Sequence, residues 1–207
     1  MENIKNYKTN ILADIDDKPP VFIKPRYWVA LYSMTGSEIV KISRHIGKYP
    51  DLIITDNEDI ESWHPMMKSL AYLKILTTIS KANRKNIKVL NSLFKSDQQT
   101  RITLHGWLNI VPAQICETFE IYNGHPGYIS EYPELKGKDP QQRTWDSIDK
   151  YPVVGSVVHR VVAQVDAGYI ISSDTASSDK CTSLDETYRV LTDTSFNAWK
   201  KAINTIL

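Results

Sequence analysis

The chain has little of what most often gives a function away. Its 25 Lys and Arg residues nearly cancel 24 Asp and Glu. It therefore lacks the basic excess that counterion release from a nucleic-acid backbone exploits, and no nucleic-acid partner is expected. There are two cysteines, Cys116 and Cys181, with no CxxC spacing, which excludes a disulfide framework or a zinc site and points to a reducing compartment and a cytoplasmic location. No apolar run approaches the roughly 18 residues that mark a membrane helix. The opening MENIKNYKTNILADIDDKPP mixes both charge signs without an apolar core, so neither secretion nor membrane spanning is expected. His45, His64 and His105 show no metal-ligand spacing with one another, and no metal is expected. No internal repeat is visible.

What is present is an ordinary folded composition, 42% hydrophobic and 24% charged over 207 residues, which suits a single α/β domain. Residues 1–20 are polar and end in Pro19-Pro20, the mark of an arm leading into a domain over 21–207. Tyr27 to Tyr32 is apolar and β-prone, and it stops at Ser33-Met34-Thr35-Gly36-Ser37 before Ile39, Ile42 and Ile46 set a helical period. Gly47 and Pro50 close that helix, and Asp51 to Thr55 is a second buried strand. From Met67 to Phe94 apolar residues recur at helical spacing, predicting two helices or one kinked one. Ile102 to Gly106 and Phe119 to Tyr122 read as strands, the latter ending at Asn123. Val153 to Val162 and Gly168 to Ile171 predict a late hairpin. Ser183-Leu184-Asp185-Glu186 is a capping-box pattern opening a terminal helix with Leu184, Tyr188, Leu191, Ala198 and Ala202 on one stripe. Strand and helix alternate through the first half, so a mainly parallel twisted sheet with helices on both faces is expected, with ligands at the carboxyl ends of strands.

The densest polar cluster, Tyr122-Asn123-Gly124-His125-Pro126-Gly127, falls where an apolar strand ends. An amide donor for an oxyanion and an imidazole that titrates near neutrality suit catalysis there. Asn, Gly and Pro are also the commonest turn residues, so a plain turn accounts for the same letters. Asp166, in Val165-Asp166-Ala167-Gly168 between two apolar strands, is a carboxylate at a turn and reads equally as a solvated one. His159 lies inside a valine-rich strand, where a histidine is more often a satisfied core or supporting group than a proton carrier. Thr35, Gly36 and Ser37, at the first strand-to-helix turn, offer backbone N–H groups to an anion, although a single glycine-serine turn is a poor phosphate signal.

Taken in order, these segments resemble the catalytic domain of the formyltransferases that use 10-formyltetrahydrofolate: glycinamide ribonucleotide, methionyl-tRNA and amino-sugar-nucleotide N-formyltransferases. Asn123-Gly124-His125-Pro126-Gly127 is similar to the family's Asn-x-His-Pro-(Ser/Gly) signature. Gly155-Ser156-Val157-Val158-His159 resembles its late strand, Val165-Asp166-Ala167-Gly168 its Leu-Asp-x-Gly turn, and Lys136 to Arg143 the Arg-Gly-x-x-Pro-x-Gln segment of the tRNA and amino-sugar branches. The similarity is strong from Gly106 to about Ile171, approximate from Tyr27 to Ile46, and absent from the N-terminal arm.

The resemblance implies a Rossmann-like fold and formyl transfer from 10-formyltetrahydrofolate to a small-molecule amine. It places Asn123 and His125 as oxyanion donors and gives Asp166 the task of orienting His125 and favouring its charged form. It implies a pterin lying along Leu108, Asn109, Ile110 and Val111 and against the backbone of Ala163, Gln164 and Val165. The acceptor would meet Thr35, Gly36, Ser37, Gly127, Gly137 and Gln142. On that side the sequence departs from the pattern. The Gly-Asn-Gly-Ser-Asn phosphate loop of the glycinamide ribonucleotide enzyme is here Met34-Thr35-Gly36-Ser37-Glu38, with a carboxylate in place of an amide. Nor does the chain continue past Leu207 into the extra domain of the tRNA enzyme. The acceptor stays open between glycinamide ribonucleotide and an amino-sugar nucleotide. Two other functions compete: hydrolysis of the formyl folate by water, and a folate- or nucleotide-binding module without turnover.

Overall fold

Alternating apolar side chains along β1 (Tyr27–Tyr32) set the architecture. Trp28, Ala30 and Tyr32 are buried in one apolar cluster while Val29 and Leu31 are buried in another. A strand buried on both faces belongs in the middle of a sheet covered by helices on each side. The structure, a computed structural model, describes residues 26–95 and 99–207, so the expected arm over residues 1–20 lies outside the described residues.

Among the described residues seven strands form one sheet, in the order β3-β2-β1-β4-β5-β6-β7. The others are β2 (Leu52–Thr55), β3 (Leu76–Thr78), β4 (Thr100–Leu104), β5 (Glu120–His125), β6 (Val153–Arg160) and β7 (Ile170–Ser177). Pairing is parallel from β3 through β5, and antiparallel at β5–β6 and β6–β7. The mainly parallel sheet with helices on both faces is thus the observed architecture. One face is packed by α1 (Ser37–Ile46), α2 (Pro65–Tyr72) and the long α6 (Leu184–Ile206). The other carries α3 (Ile87–Phe94) and α4 (Ala113–Thr118), and α5 (Pro140–Asp146) lies in the connection between β5 and β6.

Strand order reverses at β1, whose neighbours are β2 on one side and β4 on the other. A crevice opens outside the carboxyl ends at such a point, because the two flanking connections leave in opposite directions. The loops after β1 and β4 meet there: Ser33 N–H donates to the Gly106 carbonyl at 3.2 Å, and Leu108 N–H to Ser33 Oγ at 3.1 Å.

Four expectations need correction. The segment from Met67 to Phe94 is not two helices alone, because Leu76–Thr78 is an edge strand beside β2. β5 does not end at Asn123 but runs through His125. β7 continues to Ser177, well past Ile171. On α6 Leu191, Ala198 and Ala202 are buried as expected, whereas Tyr188 is 41% exposed and off the stripe. The α6 cap forms as read, with Ser183 Oγ accepting from Glu186 N–H at 3.2 Å.

Candidate active site

β5 and β6 bring the polar residues together by register. Asn123 is paired with His159 and His125 with Val157 across the antiparallel ladder, so the two histidines share one face of the sheet. Their rings stand 6.4 Å apart, nearly perpendicular. Asn123 Nδ2 lies 3.3 Å from His159 Nε2, while His159 Nδ1 lies 2.9 Å from the Arg160 carbonyl. Nε2 faces both the Asn123 amide and a carboxylate, so it accepts from the amide when bare and donates to the carboxylate when it carries a proton.

Asp166 closes the constellation from the loop after β6. Its backbone is left-handed, with φ of 49°, a conformation that Asp tolerates better than most residues. This turn aims the carboxylate inward. Oδ2 accepts from the Gly137 N–H at 2.8 Å and lies 3.4 Å from His125 Nδ1, and Oδ1 lies 3.3 Å from His159 Nε2. Burial pushes the Asp166 carboxyl up. The hydrogen bond from His159, the charge of His125 and the Gly137 N–H outweigh that and hold it below the usual range.

His125 is buried, and its other nitrogen, Nε2, lies 3.0 Å from the Leu135 carbonyl. Burial dominates its titration and pulls its pKa below the ordinary imidazole value, against the opposing pull of Asp166 and the Leu135 carbonyl. The expectation that the carboxylate favours the charged ring is therefore reversed in net direction. The cause is desolvation, which disfavours an imidazolium more than one partly shared carboxylate restores it.

Of the residues implied on the acceptor side, two join this cluster. Gly137 supplies the N–H that Asp166 accepts, and Gly127 N–H donates to the His125 carbonyl at 2.9 Å. Gln142 sits on α5, where its amide donates to Asp146 at 2.8 Å. Thr35, Gly36 and Ser37 form the entry to α1, with Gly36 at φ 75° as N-cap and Thr35 Oγ1 accepting from the Ser37 N–H at 3.3 Å.

The carboxylate of Glu38, in the first turn of α1, is held in a partly buried chain of bonds. Its Oε2 lies 2.8 Å from His105 Nδ1 and its Oε1 accepts from Ser195 Oγ at 2.7 Å. His105 Nε2 is 2.9 Å from Thr103 Oγ1, which accepts from Trp28 Nε1 at 2.8 Å. Sequence spacing gives no sign of this network, since its members come from four elements far apart in the chain.

The residues implied for the donor differ in exposure. Leu108, Ile110 and Val165 are 74%, 59% and 46% exposed, an amount of apolar surface that fits contact with a flat ring system. Val111 is buried at the edge of the core, and Ala163 and Gln164 are exposed in the loop before Asp166. Asn109 is turned inward instead, donating to Asp56 Oδ2 at 2.7 Å, where Arg84 also lies at 3.3 Å. Asp56 and Arg84 were not anticipated; a carboxylate just past the apolar run of β2 is the one local signal.

No family model matches the sequence, nor does any curated protein. Solved structures do match in three dimensions. Phosphoribosylglycinamide formyltransferase from Anaplasma phagocytophilum superposes with a TM-score of 0.72 at 17% identity, over 87% of this chain and 86% of that one. The enzyme of the same name from Streptococcus pneumoniae gives 0.72 at 16% identity, over 87% and 98%. A formyltetrahydrofolate deformylase from Pseudomonas syringae pv. tomato gives 0.65 at 16% identity, covering 87% of this chain and 61% of the deformylase. The chain thus has the fold of the phosphoribosylglycinamide formyltransferases.

Proposed function

We propose that this protein is an enzyme that transfers the formyl group of 10-formyltetrahydrofolate to a primary amine of a phosphorylated or nucleotide-linked small molecule, with glycinamide ribonucleotide or an amino-sugar nucleotide as leading acceptors. The observation that carries the reading is the convergence of Asn123, His125 and Asp166, from a strand end and a separate loop, on one cluster around His159. In this reaction the amine nitrogen attacks the formyl carbon, the carbonyl oxygen takes up negative charge, and the bond from that carbon to the folate nitrogen then breaks as that nitrogen takes up a proton, equivalent to the one the amine gives up. Asn123 and His125 donate to the oxyanion. Asp166 fixes the His125 ring and takes the proton that the amine loses, directly or through water. With Asp166 at Nδ1, the N–H that meets the oxyanion is Nε2–H, which exchanges the Leu135 carbonyl for the developing charge, and that charge draws the ring toward its charged form as the reaction proceeds.

Hydrolysis of the same donor by water is a second reading, favoured by Glu38. Its carboxylate stands at the first turn of α1, where an acceptor phosphate would otherwise be held. The two readings separate in one experiment. The protein is mixed with 10-formyltetrahydrofolate, with each candidate amine or with none, and folate deformylation is followed spectrally. Formyl transfer requires amine-dependent deformylation and a formylated amine by mass spectrometry; deformylation at the same rate without amine assigns hydrolysis. Absence of folate binding by calorimetry would overturn both. Asn123→Ala, His125→Ala and Asp166→Ala are each expected to lower turnover by about 100-fold or more while remaining folded by circular dichroism.

A further inference from the structure

Between Asn123 and His125 stands Gly124, on the opposite face of β5. Ile121 packs with the α3–α4 side of the sheet, whereas Tyr122 packs with the α6 side, and alternation puts Gly124 on that second face. A Cβ at position 124 would collide with Trp199 Nε1 and lie 3.1 Å from Trp199 Cε2. The indole therefore occupies the place that a side chain of residue 124 would take, against the backbone joining the two residues proposed to act on the formyl group. Trp199 is fully buried, and its Nε1–H has no acceptor among the described residues. A buried unpaired donor is costly, and phenylalanine would fill most of the same space without one.

The same side chain reaches the other half of the site. Its ring lies on His105 with centroids 4.6 Å apart and planes 38° from parallel, and His105 holds Glu38. Ser195, one turn before Trp199 on the same face of α6, donates to the other oxygen of Glu38. One helical face thus contacts both the strand of Asn123 and His125 and the first turn of α1.

We infer that Trp199 is a positioning residue, matched in size to Gly124, which sets the β5 backbone between Asn123 and His125 and ties it to the Glu38 end of α1. The kinetic consequence rests on the function proposed above, but the geometric one does not, so the test has two arms. Gly124→Ala, Trp199→Phe and the double variant are made in the full chain. Turnover of 10-formyltetrahydrofolate is measured, and the imidazole resonances of His125 and His159 are recorded by NMR. Gly124→Ala should lower kcat by roughly tenfold or more, because a displacement of about 1 Å is enough to do so, and should shift both ring resonances. Adding Trp199→Phe should recover most of that loss and return the resonances toward their native positions, the signature of a coupled pair. Losses that simply multiply in the double variant, or histidine resonances unmoved in Gly124→Ala, would overturn the inference. If Gly124→Ala does not fold, Trp199→Leu takes its place: it should shift the His125 resonances, and unmoved resonances refute the inference. An inactive wild-type protein would remove the proposed function, while the resonance arm would still decide the role of Trp199.

Discussion

Asp166 is the residue on which most of the site's geometry depends. Its left-handed backbone, the Gly137 N–H and two histidine rings all converge on one carboxylate. Asp166→Asn keeps the shape and tolerates the same backbone conformation while removing the charge. Of the influences on His125, burial lowers its pKa most and the Asp166 charge opposes it. The substitution is thus expected to move the His125 titration midpoint further down in an NMR pH series, together with a loss of turnover. An unchanged midpoint would show that the carboxylate does not act on the ring. The candidate trio was legible in the sequence as Asn123, His125 and Asp166. Its electrostatics were not, because desolvation depends on what is packed around a ring and not on its neighbours in the chain.

At the scale of elements, the bonds joining β1, β4, α1 and α6 tie the first turn of α1 to the core. Thr103 is central, accepting from Trp28 and facing His105. Thr103→Val has nearly the same shape but strands the Trp28 indole N–H in the core, so a loss of about 1–3 kcal/mol in urea unfolding is expected; no loss would mean that the indole finds another acceptor. The element misread from sequence, β3, is instructive in the same terms. Leu70, Leu73, Leu76 and Ile79 keep a helix-like spacing, but the helix stops at Tyr72 and Lys74 adopts φ of 59°. Lysine carries no signal for a left-handed turn. Leu76 then enters the sheet because Ile53 on β2 offers a backbone partner. A three-residue edge strand is specified by that neighbour more than by its own letters.

For the whole molecule, both coupled site groups make folding sensitive to acid. His125 and Asp166 each have a folded-state pKa below the ordinary value, so the unfolded chain binds their protons more readily and stability rises with pH. The His125 contribution is complete above its unfolded value, near 6.5, and is lost as pH falls from there through the folded value. The Asp166 contribution is present above about 3.9 and lost below it. Urea unfolding free energy is therefore expected to fall between roughly pH 7 and pH 5, and to fall less in His125→Gln. Equal slopes in the two proteins would remove His125 from this linkage.

The sequence by itself determined the strands and helices whose apolar period is long, among them β1, α1 and α6, together with the order of the polar motifs, because periodicity and turn chemistry are local properties. Tertiary structure alone decided what those motifs face. The β5–β6 register sets Asn123 opposite His159, Gly124 is left bare for Trp199, and Glu38 turns to His105 and Ser195. Each of these pairs side chains from elements distant in the chain, whose meeting is fixed by sheet order and helix packing and by no local pattern.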